Sequence, residues 1–122
     1  MAVLETHIYS ALTGSTLITD TTTRIYPVLS PQNPGYPHII YTRVSGNQIS
    51  GLSGYLNVEK PAIQIDTYST GYAQAKTLAD NIHTVLNAST TFRAILITDR
   101  DEYEDEVEKY RIIQEFSIIH NE

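Results

Sequence analysis

The stretch AIQIDTYSTGYAQAKTLADNIHTVL, residues 62–86, changes its apolar period partway along, and that change restricts the fold more than any other feature of the chain. Ile63, Ile65 and Thr67 alternate with Gln64, Asp66 and Tyr68, the period of a strand with one buried side. Beyond them Tyr72, Ala75, Leu78, Ala79, Ile82, Val85 and Leu86 recur at helical spacing and form one stripe. Ser69 or Thr70 is placed to cap that helix. A half-buried strand feeding directly into such a helix needs a sheet for both to pack on.

Further segments supply that sheet. HIIYTRV (38–44) and FRAILIT (92–98) are rich in β-branched and aromatic residues and are predicted strands. YRIIQEFSIIH (110–120) is a longer one, with Ile112, Phe116 and Ile118 on one side and Ile113 and Ile119 on the other. Leu4, Ile8 and Leu12 mark a helix over residues 2–13 that stops at Gly14. Residues 15–24 are Thr-rich and predicted to be a loop. RIYPVLSPQNPGYP holds four of the five prolines and is expected to run extended and irregular. SGNQISGLSGYLN is expected to be a flexible loop, about residues 45–58. The expected fold is α+β: a mainly antiparallel sheet of about four strands packed against two helices, forming a single domain over residues 1–122.

At 122 residues the chain can bury roughly two-thirds of its unfolded surface, enough for one core. A net charge of −6 without a Lys/Arg cluster opposes binding to a phosphate backbone. No cysteine is present, which removes thiolate metal sites, disulfides and cysteine nucleophiles. The N-terminus lacks the basic and apolar pattern of a secretion signal, and no run reaches membrane-span length, so a soluble protein made in a cytoplasm is expected. Nine tyrosines suit surfaces half buried against another chain, or exposed sheet faces.

DRDEYEDEVE (99–108) concentrates seven of the fourteen carboxylates. Read as an EF-hand calcium loop from Asp99, it fails where Tyr103, Glu104 and Tyr110 stand at positions that need an oxygen ligand, glycine and glutamate. Paired catalytic carboxylates need apolar surroundings that a hydrophilic turn lacks. The stretch therefore reads as a solvated acidic hairpin tip, with weak divalent-cation binding as the alternative. GLSG (51–54) is one residue short of a nucleophile elbow, and GYAQAKT (71–77) lacks the glycine before lysine of a phosphate loop. His7, His38, His83 and His120 are scattered, each reading as a surface or sheet histidine. No catalytic, cofactor or metal constellation emerges, and an enzyme is not expected.

Three ordered blocks, RIYPVLSPQNPGYPHIIYTRVSG, AIQIDTYSTGYAQAKTLADNIHTVL and DRDEYEDEVEKYRIIQEFSI, together resemble the tail completion, or tail terminator, family of long-tailed bacteriophages over about residues 24–119. The family's glycine-containing turn is EDEVE here, so its loop geometry is not carried over. The resemblance implies a non-enzymatic virion protein without cofactor, assembled in the host bacterial cytoplasm. It implies a homo-hexameric ring, monomeric in solution, that caps the head-proximal end of the tail tube and ends tube growth. Its implied partners are the major tail tube protein and the head–neck connector, with DNA passing through the ring without specific binding and no membrane involved. Other readings are a head-completion or neck adaptor, and a calcium-responsive module using the acidic hairpin. Within this picture Ile49, Leu52, Tyr55 and Leu56 are expected subunit or partner anchors in the 45–58 loop. Asp101, Glu102, Glu104, Asp105, Glu106 and Glu108 are expected to line either the lumen or the rim.

Overall fold

A computed structural model describes residues 3–32, 35–45, 48–51, 54–59 and 61–121. The order is α1 (Val3–Thr13), α2 (Thr16–Thr19), β1 (Ile25–Pro27), β2 (His38–Ser45), β3 (Gln48–Gly51), β4 (Gly54–Glu59), β5 (Ala62–Ser69), α3 (Tyr72–Asn87), β6 (Arg93–Glu104) and β7 (Lys109–Asn121). The fold is α+β, as expected, but the sheet is larger and mixed. Its main body runs β1-β2-β5-β7-β6, with β1 parallel to β2 and the other neighbours antiparallel. β4 pairs with the end of β7, and β3 with β4. The described residues thus hold seven strands and three helices rather than about four and two.

The extra elements have physical reasons. β1 is a three-residue edge strand, too short for a period to register, and Pro27 ends it because proline cannot donate to a ladder. Thr22 Oγ1 donates to the Pro37 carbonyl at 2.7 Å and Ile39 N–H to Arg24 O at 2.8 Å, which ties the proline-rich segment back to β2. α2 is one turn in the Thr-rich stretch, started by Ser15, whose Oγ accepts the Leu17 N–H. The expected flexible loop at 45–58 instead contains the β3–β4 hairpin, which continues the β2–β5 pair past the core. Its pairings to the rest of the sheet are Val58 with Asn121 and Glu59 with His120.

One face of the sheet carries the core. Ile63, Ile65 and Thr67 of β5 and Ile112, Phe116 and Ile118 of β7 are fully buried there under α3 and α1. From α3 come Leu78, Ile82 and Leu86, and from α1 Leu4, Ile8 and Leu12, all essentially inaccessible. Tyr72, first in the expected stripe, is instead exposed at the helix start. The expected cap is shifted: Gly71 is the N-cap, and Ser69 Oγ accepts the Gly71 N–H while donating to Gln74 Oε1 at 2.6 Å. α1 ends before Gly14, a position that favours glycine because a Cβ there would lie 2.9 Å from the Ser10 carbonyl oxygen.

β5 and β6 are parallel, joined through α3, with β7 inserted between them. β7 also carries Gln114, whose Nε2 donates to Ala79 O at 3.0 Å and so pins the helix to the sheet. Phe116→Ala is expected to cost about 4 kcal/mol, because the cavity lies between sheet and helix where neither can close it. Chemical denaturation of wild type and variant checks this.

Candidate interface surfaces and the acidic tip

β6 runs six residues further than its apolar part, so Asp99 to Glu104 are strand residues paired with β7 and only Asp105 to Glu108 form the turn. The glycine-free turn closes by placing Glu108 at φ 56°, a left-handed conformation. Alternation along β6 sends the strand carboxylates to opposite faces. Asp101 lies on the helix side, where it accepts from the Tyr72 hydroxyl and from Lys76 Nζ at 3.3 Å. The Tyr72 hydrogen bond, helped by Lys76, holds the Asp101 carboxyl below the ordinary carboxylate range.

Glu102 and Glu104 face the other way, toward Arg111 on β7. Arg111 Nη1 donates to Glu104 at 2.7 Å and lies 3.7 Å from Glu102, while Nη2 donates to Asp66 at 3.0 Å. Its guanidinium also sits 5.5 Å from the Tyr68 ring centre. Burial works against the Arg111 charge, but Glu104 and Asp66 more than offset it, and its pKa is raised. Asp66 is itself buried, so the ion pair is what makes a carboxylate tolerable on that strand. The tip is therefore a strand pair built around one arginine and not merely a solvated loop, while Asp105, Glu106 and Glu108 remain exposed.

Beside Arg111, His38 is a sheet histidine at the start of β2, almost fully buried. Its ring stacks on Tyr68 at 4.8 Å and packs against Tyr36 at 4.9 Å, and Nδ1 lies 3.0 Å from the Gly35 carbonyl. Desolvation lowers the His38 pKa, only partly countered by the Gly35 hydrogen bond, and the Arg24 charge lowers it further. Together these residues floor a cleft of about 460 Å³ lined also by Val28, Leu29, Ile40, Glu106 and Val107. His83 instead packs on Phe116, and His120 lies outside the described side chains.

Chemically, the strand carboxylates that face inward have their acceptor capacity taken by Arg111, Lys76 or Tyr72. Among the described residues no group of three His, Asp or Glu side chains is arranged to hold a metal. No helix among them is long and apolar enough to cross a membrane. Of the four expected anchors, Leu52 lies outside the described residues; Ile49 is in β3 and Tyr55 and Leu56 are in β4, where only the backbone is described. Sequence alone does not single out the exposed apolar residues Val28, Leu29, Ile95 and Ile97, which are 68%, 74%, 42% and 55% accessible. Their signal was an apolar run in a predicted strand and an apolar pair between prolines, and neither pattern reveals exposure.

Two outcomes follow from this geometry. Arg111→Met is expected to destabilise the fold by about 3 kcal/mol, because Asp66 keeps its burial and loses its cation; urea unfolding measures it. His38 binds its proton less readily when folded than when unfolded, near 6.5. Its contribution is thus fully present above about pH 6.5 and lost as pH falls from there toward the lower folded value. Thermal unfolding against pH shows the step, and His38→Phe removes it.

The family described as Tail completion protein gp17 matches residues 6–121 of this chain. No curated protein sequence matches it. The fold is similar to that of a chain in the virion of the native gene transfer agent particle: TM-score 0.69, 18% identity, covering 94% of this chain and 92% of that one. A structure from Akkermansia muciniphila, solved without its transmembrane region, aligns at TM-score 0.38 and 6% identity over 66% of this chain and 44% of that one, too remote to inform the fold. With nearly its whole length matched, the chain belongs to the tail completion protein gp17 family, and is a structural component of a virion tail.

Proposed function

We propose that this protein caps the head-proximal end of the phage tail tube as a hexameric ring, ends tube growth and forms the surface on which the head–neck connector docks, without enzymatic activity. The family membership over residues 6–121 carries the reading. The architecture supports it through polarity. The β3–β4 hairpin and the acidic turn lie at opposite ends of the thirteen-residue β7, roughly 40 Å apart at strand rise. Residues 46–58 hold no charged side chain, whereas Asp105, Glu106 and Glu108 crowd the other end.

A ring of such chains has two unlike annular faces, as a part that joins two different assemblies requires. Ile49, Leu52, Tyr55 and Leu56 of the uncharged end provide partner anchors. Asp101, Glu102 and Glu104 carry less field than their number suggests, because Lys76, Arg100 and Arg111 pair with them. The free turn carboxylates belong on the annular rim, where they keep the unassembled protein soluble. Screening confines their field to about 8–10 Å, so they act on a docking neighbour rather than across a channel.

Particles made without this chain are expected to have tail tubes of uncontrolled length and no attached heads, restored by supplying the protein. Electron micrographs in which tails lacking it keep one length and join heads would sink the reading. A labelled copy found on the head instead of the tail end would favour a neck adaptor.

A further inference from the structure

The main sheet ends in two unlike edges, and each carries an exposed apolar pair. On the β1 side, Val28 and Leu29 follow Pro27. Leu29 N–H bonds the Pro27 carbonyl at 2.6 Å across Val28, which is held at φ 66°. That is a tight three-residue turn of the kind β-branched residues rarely adopt, so backbone strain is being spent on turning these two side chains outward. On the other side, β6 bulges at Ile97, between Leu96 opposite Phe116 and Thr98 opposite Glu115. The bulge exposes Ile97 next to Ile95 on an edge strand.

The two pairs sit at one level of the sheet. The β1–β2 register, Pro27 opposite Tyr41, brings Val28 to the level of Thr42. From Thr42 the ladder runs through Gln64 and Glu115 to Thr98, the residue after Ile97.

We infer that Val28 and Leu29 of one copy pack on Ile95 and Ile97 of the next, as the repeating contact of the ring; this rests on the ring reading above. The occupant is a second copy for three reasons. Chains of charge −6 repel, and can approach closely only where they carry no charge; residues 25–37 and 94–98 contain no Asp, Glu, Lys or Arg. Beside the apolar centres the exposed charges are opposite: Glu106 of the exposed turn lines the Val28–Leu29 cleft, and Arg93 is exposed beside Ile95. Unlike patches on opposite edges give a head-to-tail contact, and equal level means little rise per copy, as a closed ring requires. Pro27 offers no N–H there, so side chains carry the contact and not a continued ladder.

The absence of cysteine permits a direct test. Tails assembled with the Val28→Cys/Ile97→Cys chain, once oxidised, are expected to yield disulfide-linked oligomers up to a hexamer, while either single variant yields monomer. Ile97→Glu and Val28→Glu alter exposed side chains, so each keeps the wild-type melting temperature but loses about tenfold or more in incorporation into tails. Val28→Lys combined with Ile97→Glu restores it. Hexamers that form in the double-cysteine chain without crosslinking, or Ile97→Glu rings that incorporate normally, overturn this contact and leave the ring intact. Tails of normal length without any copy of the protein overturn both.

Discussion

Everything in this molecule depends on the burial of α3 against one face of the sheet, with β7 beneath its centre. Phe116, Ile112 and Ile118 meet Leu78, Ile82 and Leu86 or their neighbours there, and α1 closes the layer through Leu4, Ile8 and Leu12. At roughly 25 cal/mol per Å² of apolar surface, this single seam supplies most of the driving force for a chain of this size. Because it consumes one face of the sheet and both main helices, the other face, the strand edges and the strand ends are left for other purposes.

Those remaining surfaces are chemically unlike one another. One end is a hairpin without charge over residues 46–58, the other a carboxylate-rich turn braced by Arg111. Between them, one edge of the sheet shows Val28 and Leu29 and the other Ile95 and Ile97. Contacts with neighbours in a virion tail need such surfaces, and this chain belongs to a family of tail completion proteins. The Arg111 hub has a structural part in it: by neutralising Asp66 and holding Glu104, it lets a strongly acidic strand pair extend from the core as ordered structure.

Much of this was legible in advance, for identifiable reasons. The β5–α3 unit showed because burial on one side imposes period two on a strand and 3.6 on a helix, and Ile63, Ile65, Leu78 and Ile82 obey both. β7 showed for the same reason. β1 did not, since three residues hold no period and the last of them is a proline. The β3–β4 hairpin did not, because SGNQISGLSGYLN has turn composition, and its pairing is an extension of β2 and β5 that no local signal announces. The acidic strand reads locally as a solvated hairpin tip because carboxylates disfavour strands, and what overrides that preference is pairing across to β7, where Arg111 meets Glu102 and Glu104.

The sequence by itself determined the fold class, the buried faces of β5 and α3 and the family, since all three are written in the order and spacing of neighbouring residues. Tertiary structure alone decided which carboxylates are paired, why His38 is buried, and which apolar side chains remain in water. Those properties arise from residues brought together across strands, and burial is a relation between distant segments that no local period encodes.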